Sequence, residues 1–315
     1  MADIVVTSGI PVEGFALLKG HTLHIPPTGC VFTDEELMQL LPHADAVVAS
    51  TALRGDVIRT GKQLKIIANY GSGYNVIDIG AAATCGIPVT NIPEVTASAT
   101  AEVAIGLMLA VIRRMGEMNL RLREPNAEPL FTMGNEMGYT LRGKRLAIIG
   151  MGTIGLEVKR IAEAMGMEVT GLRRRDVTGS MQEAIIRLVQ DADVVSLHCP
   201  LTEETRNMMS REVLSHMKRG SILINTARGA VVDTEALADL LESGYLFGAG
   251  LDVFPDEPHV SQRLKACKRA VLTPHLGTNT VETRYAMAEA CSRQILDALS
   301  GKEPQNIING VPWKA

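Results

Sequence analysis

The residues with the plainest chemical meaning are Gly150-Met151-Gly152-Thr153-Ile154-Gly155. Arg145-Leu146-Ala147-Ile148-Ile149 comes directly before them, a short apolar run of the kind that forms a buried strand. After them Ile154, Val158, Ile161 and Met165 recur at helical spacing, and Gly166 stands where a left-handed helix stop is expected. G-x-G-x-x-G between a strand and a helix is the setting in which this pattern binds a dinucleotide. Gly150 allows the tight turn, Gly152 lets a pyrophosphate approach the backbone, and Gly155 lets the helix pack closely on the strand. The helix N-terminus at Thr153 and Ile154 offers free N–H groups to phosphate. Further along, three apolar runs are each followed by polar residues. Asn225-Thr226-Ala227-Arg228 follows the first, Asp252 and then Pro255-Asp256-Glu257-Pro258 the second, and Thr273-Pro274-His275-Leu276-Gly277 the third. An arginine, carboxylates and a histidine thus stand where strands of a doubly wound sheet open on a ligand crevice.

Those side chains need a sheet to hold them, and the chain supplies two series of strand and helix. Ile4–Val6, Ala46–Ala49, Lys65–Ala68 and Ile87–Thr90 read as strands of a first unit. Thr33 caps a helix through Leu41, and Asp78–Thr84 reads as a second helix closed by Gly86. None of these loops carries the glycine pattern, so the first unit does not hold the dinucleotide. Thr100–Met115 reads as a buried helix, with Glu102 and Arg113-Arg114 suiting its dipole. Asn119–Arg142, with Pro125, Pro129, Gly134 and Gly138, reads as a long loop serving a subunit contact. The second unit opens at Arg145. It adds strands at Glu168–Leu172, Asp193–Leu197, Ser221–Asn225, Gly248–Val253 and Ala270–Leu272, and the helix Val281–Leu299 follows. Alternating strand and helix implies parallel sheets covered on both faces.

Composition narrows the class. The 315 residues suit two domains, and 46% hydrophobic with 21% charged residues mark a globular chain. A net charge of −4 gives no reason to expect nucleic acid or an anionic membrane as partner. Five cysteines without C-x-x-C spacing argue for reduced thiols and against a disulfide framework or zinc site. The N-terminus has no secretion-signal pattern, and no run of about 18 uncharged apolar residues spans a membrane. The expectation is a cytoplasmic protein.

NTARG, LDVFPDEP and TPHLGT, in this order behind GMGTIG, resemble the D-isomer-specific 2-hydroxyacid dehydrogenases. Asn69-Tyr70-Gly71-Ser72-Gly73-Tyr74, Ala99-Thr100-Ala101-Glu102 and His198-Cys199-Pro200-Leu201-Thr202 extend the likeness over nearly the whole chain. The resemblance implies two doubly wound α/β domains with the active site in the cleft between them, in a homodimer. The substrate domain would comprise 1–97 and 286–315, flavodoxin-like, and the Rossmann-type dinucleotide domain 98–285. It places Arg228 on the substrate arginine, His275 on the acid–base residue and Glu257 on its carboxylate partner. Ser72 and Gly73 would complete a carboxylate cradle with their N–H groups. Thr100, Cys199, Pro200, Thr205, Ala227, Asp252 and Gly277 fall on cofactor-binding positions, beside the glycine loop. No metal is implied. Hinges near Pro93–Ala99 and Tyr285 would let the domains close.

The second strand of the dinucleotide unit ends in Arg173-Arg174-Arg175, where NAD enzymes carry an acidic residue. Arginines pair with a 2′-phosphate that a carboxylate would repel, so NADP(H) is expected through Arg173 and Arg174, with NAD(H) second. Within the family this fits reduction of glyoxylate or hydroxypyruvate to the D-2-hydroxy acid. Asn75-Val76 and Glu94 depart from the family pattern and leave the substrate open. The competing readings are a dinucleotide-sensing protein without turnover, and phosphoglycerate, phosphite or formate oxidation on the same scaffold.

Overall fold

Apolar runs without strict alternation become strands buried on both faces, and here they form two all-parallel sheets. The computed structural model describes residues 1–124, 134 and 136–314. The chain divides into one unit of Met1–Thr96 with Asn279–Ala315, and a second of Ala97–Thr278. The expected boundaries were 97/98 and 285/286. The observed division falls inside the helix Pro93–Ile112 and just before the helix Val281–Leu299. Both expected hinge segments are therefore helical.

The first unit holds β1 (Asp3–Val6), β2 (Thr22–His24), β3 (Ala46–Ala49), β4 (Ile66–Asn69) and β5 (Val89–Thr90), in the order β2-β1-β3-β4-β5. Alternate residues serve opposite faces. Ile4, Val6, Val48 and Ile66 pack on Met287, Cys291 and Ile295 of the helix Val281–Leu299. Val5, Val47 and Ile67 pack on Leu37, Val57 and Ile58. Thr33 caps its helix with a full capping box, its hydroxyl accepting from the Glu36 N–H. The edge strand β2 was not anticipated, because Thr-Leu-His carries a single apolar residue and no pattern.

The second unit holds β6 (Arg145–Ile149), β7 (Glu168–Leu172), β8 (Val194–Leu197), β9 (Ile222–Asn225), β10 (Gly248–Leu251) and β11 (Ala270–Leu272). Their order is β11-β10-β9-β8-β6-β7. The 20-residue helix Pro93–Ile112 has length and apolarity enough to cross a membrane, yet most of it is buried within the protein. Its Ala104, Leu107, Met108 and Val111 form a core with Leu146, Ile148, Val194 and Ile224. Helix and sheet meet at Gly248 and Gly250, where an added Cβ would lie 2.6 Å from Val111 and 2.8 Å from Leu107. The expected loop from Asn119 begins instead inside a helix, Met115–Leu122. Its residues 125–133 and 135, with the subunit contact assigned to them, lie outside the described residues.

Candidate active site

In the second sheet the chain leaves β6 for β7 on one side and then crosses to β8 on the other. The crevice of such a switch lies at the C-terminal ends of β6 and β8. Gly150, at the end of β6, has φ +100°, and a Cβ there would stand 2.5 Å from the His198 carbonyl carbon and 2.6 Å from the Cys199 nitrogen. Backbone leaving β8 therefore excludes a side chain at this position. Gly152 is exposed, with nothing within 4 Å of an added Cβ. It is the N-cap of the helix Thr153–Ala164 and supplies no side-chain cap, whereas Ser180, Ser210 and Asp233 cap the helices they begin. The first-turn N–H groups of this helix are left for another acceptor. An uncapped helix start beside an open glycine fits a dinucleotide pyrophosphate.

The basic triplet after β7 divides its work. Arg174 reaches Glu204 through both edges of its fork, Nε to Oε2 at 2.7 Å and Nη2 to Oε1 at 3.2 Å. This pairing lowers the Glu204 carboxyl below its ordinary value and raises Arg174. Arg175 lies 3.9 Å from Asp176. Arg173 makes no ion pair among the described residues.

After β8, His198 lies between two hydroxyls, with Nε2 2.8 Å from Ser196 Oγ and Nδ1 3.2 Å from Thr226 Oγ1. Burial pushes it down to about 3, so the ring is neutral near pH 7. Burial pushes the Cys199 thiol up to about 12, which leaves it protonated and unreactive. Thr205 Oγ1 donates to the Pro200 carbonyl at 2.7 Å and folds that loop back on itself.

Asn225 ends β9 and shapes the arginine turn. Its Oδ1 accepts from the Ala227 N–H at 2.9 Å, and its Nδ2 donates to the Arg228 carbonyl at 3.0 Å. Arg228 Nη1 donates to the Ala227 carbonyl at 2.7 Å. Burial lowers the Arg228 guanidinium, and the Glu257 charge works in the opposite direction.

Asp252, 1% exposed, follows β10. Its Oδ1 accepts from Thr273 Oγ1 at 2.6 Å and the Leu276 N–H at 2.7 Å, and its Oδ2 accepts from the Gly277 N–H at 3.0 Å. Its carbonyl accepts from the His275 N–H at 2.9 Å. Both carboxylate oxygens thus clamp residues 273–277. Thr100 Oγ1 donates to the Gly277 carbonyl at 3.3 Å from the long helix.

The clamp holds His275 at φ +53°, a left-handed conformation that is uncommon without glycine. His275 Nδ1 lies 2.8 Å from Glu257 Oε2, while Glu257 Oε1 accepts from the Phe254 N–H at 2.9 Å. Burial raises the Glu257 carboxyl, but His275, the Phe254 N–H and Arg228 outweigh it and hold the group below its ordinary value. An ionised carboxylate only accepts, so Nδ1 carries the proton and Nε2 is the atom left to exchange one. The structure brings Arg228, Glu257 and His275 to one end of one sheet. Asn225 opens the NTARG motif, and its part in shaping the turn is one that the sequence reading did not assign.

In the first unit, Ser72 and Gly73 lie in the turn after β4. Asn69 Nδ2 donates to the carbonyls of Gly71 at 2.8 Å and Gly73 at 3.2 Å. Asn91 Nδ2 donates to the Ser72 carbonyl at 2.9 Å. The Ile77 N–H donates to the Tyr74 carbonyl at 3.0 Å. Among the described residues, the N–H groups of Ser72, Gly73 and Tyr74 donate to no protein acceptor.

The family model of the NAD binding domain of D-isomer specific 2-hydroxyacid dehydrogenases matches residues 105–277. A glyoxylate reductase of Thermococcus litoralis is 36% identical over 328 residues, 97% of this chain and 96% of that protein. The crystal structure of the TT0316 protein from Thermus thermophilus matches with a TM-score of 0.88 and 38% identity, over 97% of this chain and 99% of that one. The NADPH-dependent glyoxylate/hydroxypyruvate reductase of Sinorhizobium meliloti, solved with NADP and malonate, matches with a TM-score of 0.83 and 28% identity. That match covers 100% of this chain and 98% of the other.

Proposed function

This chain belongs to the D-isomer specific 2-hydroxyacid dehydrogenases, and on that premise we propose that it reduces a small 2-oxo acid of the glyoxylate or hydroxypyruvate type to the D-2-hydroxy acid, with NADP(H) preferred over NAD(H). The observation that carries this reading is the His275–Glu257 pair, 2.8 Å apart, with Arg228 coupled to the same carboxylate.

The nicotinamide cofactor, when bound, supplies the hydride. His275 gives a proton from Nε2 to the ketone oxygen, which would otherwise gain full negative charge. Glu257 orients the ring through Nδ1 and leaves Nε2 to exchange the proton. Arg228 presents a planar fork to the acid's carboxylate and ketone oxygen, a geometry lysine lacks. Ser72 and Gly73 would offer main-chain N–H groups to a substrate carboxylate. Asp252 acts on the proton donor through the loop it clamps.

For the cofactor, Gly150, Gly152, Thr153, Ile154 and Gly155 would hold the pyrophosphate, and Cys199, Pro200, Thr205, Ala227 and Gly277 line its course. Arg173 would take a 2′-phosphate, joined by Arg174 once that side chain leaves Glu204. Exposed Met115, Leu120 and Leu122 on the helix Met115–Leu122 support a homodimer surface.

The test is oxidation of NADPH and NADH with glyoxylate, hydroxypyruvate, pyruvate and longer homologues, with His275→Ala beside the wild type. The expected result is NADPH turnover on the smallest acids, reduced roughly 10²–10⁴-fold in kcat by the substitution while cofactor affinity is kept. Cofactor binding without turnover on any acid would overturn the enzyme reading in favour of a dinucleotide sensor. Higher kcat/KM with NADH would remove the NADP preference alone.

A further inference from the structure

We propose that Asn69 and Asn91 are positioning residues for the substrate carboxylate. Their side-chain amides tie back the carbonyls of Gly71, Ser72 and Gly73, so that the consecutive N–H groups of Ser72, Gly73 and Tyr74 face one anion.

A peptide group that can rotate turns its carbonyl towards solvent or ligand as readily as its N–H. Three carbonyls in a row are denied that freedom here. Asn69 uses both hydrogens of one amide, on Gly71 at 2.8 Å and Gly73 at 3.2 Å. The Gly71 carbonyl also accepts from the Ile92 N–H at 3.1 Å. Asn91 takes the remaining carbonyl, Ser72, at 2.9 Å. Both asparagines are themselves buried, at 3% and 8% exposure, so they are fixed points rather than surface side chains.

Asn91 is held in its turn by the C-terminal helix. Its carbonyl accepts from Gln294 Nε2 at 3.0 Å, and Gln294 Oε1 accepts from Thr90 Oγ1 at 2.8 Å. Ser72, Gly73 and Tyr74 are partly exposed, and their N–H groups have no acceptor among the described residues. Successive main-chain N–H groups held in this way form a concavity that binds an anion without a charged side chain.

The residue type matters as much as the position. Aspartate has the shape of asparagine but only accepts, so at either site it would face carbonyl oxygens and set a negative charge beside the anion. The lock rests on the reading that a 2-oxo acid is the substrate. Its experiment therefore separates the two.

Wild type, Asn91→Asp, Asn91→Ala and Asn69→Ala would be compared with glyoxylate and with methyl glyoxylate, which lacks the carboxylate charge. The dissociation constant of oxamate for the cofactor-loaded enzyme would be measured by calorimetry, and folding checked by thermal melts. Loss of one such hydrogen bond should raise the glyoxylate KM and the oxamate Kd about tenfold. The expected values of kcat, cofactor Kd and turnover of the ester stay within about twofold. An unchanged glyoxylate KM in a folded variant would overturn the proposal, as would equal loss on acid and ester, which marks a merely structural role. If the wild type reduces no 2-oxo acid, the functional reading fails while oxamate still tests the lock. Weaker oxamate binding in the variants then sustains it, and equal binding, or none to the wild type, ends it.

Discussion

Each of the two sheets ends one inner strand in a buried asparagine, Asn69 on β4 and Asn225 on β9, and the two asparagines do opposite things. Asn225 closes its turn in both directions, accepting from the Ala227 N–H and donating to the Arg228 carbonyl. One N–H and one carbonyl of that turn are engaged by the amide, and what the turn presents is a side chain, the guanidinium of Arg228. Among the described residues the Asn69 amide only donates, to two carbonyls, and the N–H groups of Ser72, Gly73 and Tyr74 in the turn it shapes meet no acceptor. What that turn presents is backbone. The same residue type at the end of a parallel strand can therefore expose either a charge or a row of dipoles, depending on which half of the amide meets the turn. The charged end makes charge-assisted bonds; the neutral end is weaker and carries no titratable group.

The largest expected effect tests the charged end. Arg228→Lys keeps the charge and removes the fork, and it should lower kcat/KM for glyoxylate by about 10²-fold. A loss smaller than that of Asn91→Asp would reverse the ranking of the two turns.

Glu257→Gln comes next and sharpens the comparison through pH. The Glu257 carboxyl is lowered by His275, the Phe254 N–H and Arg228 against the opposing effect of burial. Its contribution to stability is accordingly full above the ordinary carboxylate range and is lost as pH falls through the lowered value. In catalysis the carboxylate accepts from Nδ1 of His275 and leaves Nε2 to exchange the proton. Glutamine in its place should lower kcat for glyoxylate by about tenfold and flatten the acid limb of the stability profile, a limb that the Asn91 variants keep. Steady-state kinetics and thermal melts across pH read this directly, and an unchanged kcat with an unchanged acid limb would count against the pair.

The smallest effect lies away from both turns. Arg173→Ala should raise the KM for NADPH by about tenfold, as loss of one charge-assisted contact. Glu204→Gln frees the Arg174 fork and should lower that KM by a few-fold, with NADH unaffected. Equal changes with both cofactors would show that neither residue reads the 2′-phosphate.

Much of this architecture was legible from local pattern. The runs Ala46–Ala49, Arg145–Ile149 and Glu168–Leu172 are strands over the expected residues, and Val281–Leu299 is a helix over its full expected length. Thr33 and Asp78 cap their helices through their own side chains. The elements that escaped were short or weakly patterned, such as Thr22–His24 and Gly55–Ile58. Met115–Leu122 escaped for another reason: Gly116, Asn119 and the prolines beyond it weaken the helical signal, and the helix buries no residue, its first turn being held by the Arg114–Glu117 pair.

Residue type and spacing were sufficient to identify the glycine turn, the alternation of strand and helix, and Arg228, Glu257 and His275 at successive strand ends. These depend on neighbours within a few residues, where sterics and periodicity act. The pairings that give those residues their states belong to the folded chain. Asp252 clamps a loop more than 20 residues on, Glu204 meets Arg174 across 30 residues, and Asn91 is anchored by Gln294 from 203 residues away. A hydrogen bond is made over about 3 Å whatever the separation along the chain, so strand order, not sequence distance, determined which partners met.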